Sequence, residues 1–205
     1  VLDLLEHAPR GADEVLGALL HGDTPQEEHD LVLGADALAG AGLHGLGVDA
    51  VIIGFIAEEL AYGDFNVSAV PVGISLNAAI LIRHAQPEVV REWVPKMIRG
   101  EAIVAICLTE PRGGSDASNL ALKARRVTDA SGDHYVINGE KTSITFADRA
   151  DAYLIFARTG KPEEGAKGVS AFFIPADSPG ISRTAFDDVG STIAGRGSVF
   201  FDDVP

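Results

Sequence analysis

The sequence predicts an α+β protein, with an N-terminal all-α helical domain followed by a β-barrel or sandwich domain. Two observations carry this reading. Apolar residues recur at helical spacing through the first half, and the period changes to two from residue 103 onward. The charge changes at the same place: residues 1–102 hold 5 basic and 16 acidic side chains, and residues 103–205 hold 11 and 14. The expected domains are therefore 1–102 and 103–205. A chain of 205 residues has room for one large or two modest domains.

In chain order, Val1 to Leu20 gives a weak helical signal, with Val15, Leu16, Leu19 and Leu20 on one face. Thr24-Pro25-Gln26-Glu27 is a helix start: Thr24 can cap, Pro25 fits the first turn and Glu27 completes a capping box. Leu31, Ala35, Leu38 and Ala39 continue it, ending at Gly40 to Gly42. Residues 50–62 predict a helix stopped by Gly63. The apolar run from Val67 to Ile82 predicts a buried helix over 67–84. Pro71, Asn77 and its Gly and Ser positions make it too short and interrupted for a membrane span. Pro87 opens a helix with Val90, Trp93 and Met97 inward, bent or interrupted at Pro95 and ended by Gly100. Strands are expected at 103–108, 120–128, 134–138, 141–146, 152–158, 168–175, 180–186 and 197–202, with turns at Ser131-Gly132-Asp133 and Asn138-Gly139. Short strands at such spacing suggest a small barrel or sandwich. Lys161 to Lys167 is expected to be a solvated, charged loop.

Composition narrows the function classes. Hydrophobic residues make up 46%, which argues against global disorder. A net charge of −14 makes nucleic acid and anionic membranes poor partners. One cysteine, Cys107, permits no internal disulfide and sits in an apolar strand, where a buried inert thiol is expected. The six histidines lack ligand spacing, so no metal is expected. The acidic start gives no secretory signal, and the expected compartment is cytoplasmic.

Chemistry concentrates in Leu108-Thr109-Glu110-Pro111-Arg112-Gly113-Gly114-Ser115-Asp116, which follows a strand-like run. Pro111 fixes one φ, and Gly113 and Gly114 permit positive φ and close approach of a ligand to bare backbone. Successive N–H groups in such a turn can converge on an anion or on the acceptor edge of a ring. Thr109 and Ser115 add hydroxyls. The plainer alternative is a strand-to-loop turn capped by Ser and Asp. A second stretch, Tyr135 to Thr145, and a third, Ala150 to Arg158, change the balance.

TEPRGGSD (109–116), INGEKTSIT (137–145), ADAYLIFART (150–159), GVSAFFI (168–174) and VFFDDVP (199–205) together resemble the acyl-CoA dehydrogenase family in order and spacing. The resemblance is clear from about Glu58 to Pro205 and faint before it. It implies FAD as cofactor and removal of two hydrogens from an acyl-CoA thioester to give a 2-enoyl-CoA. A carboxylate takes the α proton and the β hydrogen leaves as hydride to the flavin. An electron-transfer flavoprotein or another acceptor reoxidises the flavin. By the matching motifs, the backbone at Ile106 and Leu108 borders the flavin, and Thr109 binds its pyrimidine side. Gly114 and Ser115 reach the phosphates, with Ser115 also near the CoA chain. Ser143, Ile144 and Thr145 lie along the other edge. Glu110 looks like a natural base, but the family does not use that position. A partner at the turn or at a helix end is expected for it.

Two departures stand out. Position 143 usually holds Trp or Phe; Ser143 leaves room that implies a branched or cyclic acyl group. Arg112 stands where Gly is frequent, so the tight turn should depend on Gly113 and Gly114. The resemblance also implies a longer loop after Gly47 and a third, helical domain after Pro205 that supplies the catalytic glutamate. The chain is expected to be part of a longer protein, with no catalytic base of its own, working as a homotetramer or homodimer. An acyl-CoA oxidase or flavin-dependent monooxygenase of the same fold, and a non-catalytic partner subunit, are the alternatives.

Overall fold

The computed structural model describes residues 2–3, 50–130, 132–190 and 194–205. The helix expected from Thr24 and the loop after Gly47 lie outside the described residues. Of the helix expected over 1–20, only Leu2–Asp3 (β1) is described, and it pairs antiparallel with Phe172 and Phe173 of a later strand instead.

Among the described residues, three helices follow: α1 (Ala50–Gly63), α2 (Phe65–His84) and α3 (Pro87–Ile98). Asp64 separates the first two and caps α2 by accepting from the Asn66 N–H at 2.8 Å. α2 is 20 residues long, so by length and composition alone it could cross a membrane, against the sequence expectation. Its packing shows which face is used. Ala78, Ile80 and Leu81 are buried, and the Asn77 amide donates to the Val104 carbonyl at 2.7 Å, whereas Val67, Val72 and Leu76 stay exposed. The helix is thus buried on one face only. α3 runs through Pro95 to Ile98 without interruption, because buried Val94 and Met97 hold it on both sides. Trp93 meets Phe173 edge-on, with ring centroids 5.0 Å apart.

The β region is one eight-stranded curled sheet. Its strands are β2 (Val104–Cys107), β3 (Lys123–Asp129), β4 (Gly132–Thr145), β5 (Ala152–Arg158), β6 (Val169–Pro175), β7 (Ile181–Ala185) and β8 (Arg196–Val204), with β1 at one edge. The order is β1-β6-β5-β3-β4-β8-β7, and β2 pairs parallel with β5. Every residue of β5 is buried. Tyr153 and Ile155 pack with Phe172, Ile174, Val199 and Phe201 on one face. Leu154 and Phe156 pack with Leu81, Val89, Met97 and Phe173 on the other. That two-sided burial explains the unbroken apolar run, which alternation alone would not predict.

β4 departs from expectation. Two strands around an Asn138-Gly139 turn are in fact one strand of 14 residues with two irregularities. At the first, Gly139 has φ 137°, and a Cβ there would lie 3.2 Å from the Leu122 Cα. Asn138 then exchanges two hydrogen bonds with Asp203 of β8, at 2.9 and 3.0 Å. An Asn-Gly pair supports a bulge when the partner strand can supply such a cap. β3 begins at Lys123 rather than 120, because the N–H groups of Ala121 and Leu122 are taken by a side chain described below. Lys161 to Lys167 is also more than a solvated loop. It forms helical turns over Pro162–Gly168, and its Lys161 and Gly165 carbonyls accept from Arg158 at 3.4 and 2.9 Å.

Candidate functional site

The motif loop leaves the end of β2 and closes at once into a tight turn. Glu110 and Gly113 exchange backbone hydrogen bonds of 3.1 and 2.9 Å around Pro111 and Arg112. Gly113 has φ 149°, which only glycine accepts readily. Gly114 serves a different need: its Cβ would lie 3.1 Å from Thr109 Oγ1. The turn geometry therefore rests on Gly113, and Gly114 permits close packing. Arg112 reaches the Asn119 carbonyl at 3.1 Å and stays exposed.

Glu110 is 4% exposed and accepts three hydrogen bonds: from Ala121 N–H at 2.6 Å, Leu122 N–H at 2.9 Å and Lys141 Nζ at 2.9 Å. Burial alone would raise its carboxyl pKa, but the two amides and the ammonium outweigh burial and hold it below the ordinary 4.5. Lys141 is fully buried, and desolvation pulls its ammonium below the usual lysine value against the pull of Glu110. The same Nζ donates to the Leu108 carbonyl at 3.0 Å. One residue further on, Thr142 N–H donates to the Thr109 carbonyl at 2.9 Å. β4 thus holds the motif loop at three consecutive residues. Sequence reading expected a turn or helix-end partner for Glu110 and missed Lys141. The sequence offers a lysine inside a strand stretch, which needs an acceptor if it points inward, but nothing local names Glu110 as that acceptor.

The same geometry brings two of the predicted segments side by side, since Thr109 and Thr142 are hydrogen-bonded and Ser143 follows directly. Ser143 is exposed with φ 55° at the second irregularity of β4, and Thr145 is exposed beyond it. Ile144 between them turns its side chain into the core at 2% exposure. Ile106 and Leu108 are half-buried at the margin of the helix-side core. Ser115 is exposed and Gly114 half-buried. Among the described residues, the N–H groups of Thr109, Gly114 and Ser115 donate to no backbone carbonyl. Cys107 is fully buried, and burial pushes its thiol pKa far up, which leaves it inert.

Residues 105–204 match the family model for the acyl-CoA dehydrogenase middle domain, and residues 33–101 match that for the N-terminal domain. The chain belongs to the acyl-CoA dehydrogenase family. It is 34% identical over 138 residues to a mitochondrial isobutyryl-CoA dehydrogenase of Dictyostelium discoideum, covering 67% of this chain and 32% of that protein. It is 32% identical over 154 residues to a glutaryl-CoA dehydrogenase of Desulfococcus multivorans, covering 73% and 38%. Among solved structures, the butyryl-CoA dehydrogenase of Megasphaera elsdenii superposes with TM-score 0.71 at 28% identity, covering 94% of this chain and 51% of that one. A glutaryl-CoA dehydrogenase of Mycobacterium smegmatis in complex with FADH2 gives TM-score 0.69 at 26% identity, covering 98% and 54%. The chain spans about a third to a half of the length of these acyl-CoA dehydrogenases.

Proposed function

We propose that this chain carries the flavin-facing part of an FAD-dependent acyl-CoA dehydrogenase that converts an acyl-CoA thioester to its 2-enoyl-CoA. The supporting observation is a row of donors on the motif loop. Among the described residues, the N–H groups of Thr109, Gly114 and Ser115 have no backbone acceptor, and Gly113 beside them faces open space. Such a row suits a polar ring edge and a pyrophosphate. Thr109 would hold the pyrimidine side, and Gly114 and Ser115 the phosphates, with Ser115 also beside the CoA chain. Ile106, Leu108, Ser143, Ile144 backbone and Thr145 would border the ring. FAD, when bound, supplies the two-electron acceptor.

The protein's own task is to align the thioester and polarise its carbonyl. Glu110 is no candidate for the base, since its carboxylate is spent on three donors away from solvent. The base is therefore proposed to lie outside this chain. Residues 1–102 and 103–205 are taken as the two domains, and an electron-transfer flavoprotein or another acceptor, together with a homo-oligomer, as the partners. At Ser143 the exposed, small side chain leaves space beside the ring, which favours a branched or cyclic acyl group. The branched isobutyryl substrate in the name of one relative supports the branched option.

The test is a visible spectrum of the purified full-length protein, followed by anaerobic addition of straight, branched and cyclic acyl-CoAs. Bleaching of a bound flavin by a branched or cyclic thioester is expected. Clear preference for long straight chains overturns the acyl assignment. A flavin that stays oxidised with every thioester points to oxygen chemistry on the same fold, and a colourless protein points to a non-catalytic subunit.

A further inference from the structure

We infer that Lys141 is a positioning residue of this site: by holding the Leu108 carbonyl from within, it aims the Thr109 N–H outward at the ligand. The planarity of one peptide unit fixes both groups. The Leu108 C=O and the Thr109 N–H belong to the same peptide, and no cis peptide bond is present among the described residues. In a trans peptide these two groups point in opposite directions. Lys141 Nζ takes the carbonyl at 3.0 Å from a fully buried position. The N–H is therefore turned away from β4 and the interior, and it has no backbone acceptor among the described residues.

The next peptide repeats the logic. The Thr109 carbonyl accepts from Thr142 N–H, and the Glu110 N–H on the far side of that peptide is consumed by Gly113. Of the two successive N–H groups, only that of Thr109 is left for a ligand. Glu110 makes the arrangement possible. Its Oε1 anchors the Lys141 ammonium at 2.9 Å, and its accepted bonds from Ala121 and Leu122 tie the far end of the loop to the same carboxylate. An apolar side chain of similar length at 141, such as Met, could fill the volume but could not hold the carbonyl.

This inference rests on the flavin reading above and deepens it, so the experiment separates the two. Amide hydrogen exchange is followed at Thr109 in the full-length protein, with and without FAD. The expected result is fast exchange at Thr109 without FAD and at least tenfold slower exchange with it. Slow exchange in the absence of FAD overturns the inference, because the N–H would then be turned inward. FAD binding with no change at Thr109 also overturns it and leaves the flavin reading standing. Failure to bind FAD overturns both. A paired variant, Lys141→Met with Glu110→Gln, removes the carbonyl anchor without leaving an isolated buried charge. FAD should bind it at least tenfold more weakly, which corresponds to about 1.4 kcal/mol, and the visible band of any bound flavin should shift. A paired variant with wild-type FAD affinity and spectrum overturns the role of Lys141.

Discussion

Glu110 and Lys141 show how two charges share a dry interior. Each is buried, and each would be costly alone; together with two amides and a carbonyl they satisfy one another. Lys141→Met alone strands the Glu110 carboxylate and should lower unfolding free energy by about 3–5 kcal/mol, read by urea denaturation. A loss under about 1 kcal/mol would mean that Glu110 finds other company. The acid limb carries a second expectation. The carboxyl pKa of Glu110 is depressed in the folded protein, so its contribution is present above 4.5 and lost as pH falls through the folded value. The melting-temperature gap between wild type and Glu110→Gln should be widest at neutral pH and close in acid. A gap independent of pH would show that the charge is irrelevant. At Ser143, substitution by Phe should cut turnover of branched or cyclic thioesters at least tenfold relative to straight ones (about 1.4 kcal/mol), compared by kcat/KM in the full-length enzyme. Equal losses across the panel would remove Ser143 as the shape filter. At this scale Thr109, Ser115, Ser143 and Thr145 of the proposed site were read from contiguous motifs. The Glu110 partner was not, since a contact between residues 31 apart is made by folding and leaves no local trace.

Among the elements, β4 holds the motif loop, and Arg158 ties the segment after β5 to residues 117–122. Gly139 bends β4 where Leu122 presses against it, so Gly139→Ala combines an unfavourable φ with a Cβ 3.2 Å from backbone. A cost of about 1–3 kcal/mol is expected, measurable by denaturation, and no cost would mean that β4 can slide past the bulge. Arg158 is nearly buried and donates to the carbonyls of Ser118, Leu120, Lys161 and Gly165. Lysine cannot reproduce that fork. Arg158→Lys should therefore speed amide exchange across residues 117–122 and 161–168 and leave the β5–β6 ladder unchanged. Uniform acceleration throughout the sheet would instead indicate global destabilisation. Most strands were legible from their period, and β5, expected over 152–158, from its unbroken apolar run. The bulge was not, because Asn138-Gly139 carries the same local signal whether the chain reverses or merely kinks. Asp203 on the neighbouring strand decides between them.

Across the whole molecule, the change from helical to strand period marks the change in architecture, and this was plain in the sequence. What period could not reveal is that the helices and the sheet share a core. Val89, Val94 and Met97 of α3 pack in one cluster with Leu154, Phe156 and Phe173. Trp93 stands at that seam against Phe173. Helical circular dichroism and Trp93 fluorescence should therefore report one coincident urea transition. An earlier loss of the fluorescence signal would show that the seam opens before the helices melt.

The parallel pairing of β2 with β5 has a consequence for how the chain is made. β2 leaves the ribosome about 45 residues before its partner begins. At translation rates of about 5–20 residues per second, β2 waits roughly 2–9 s with Val104, Ala105 and Ile106 lacking the strand that will shelter them. During that interval the preceding helices are its natural cover, and a chaperone is the alternative. Slowing synthesis between Cys107 and Ala152 should lower the yield of soluble protein more than slowing it after Pro175, once β5 and β6 are complete.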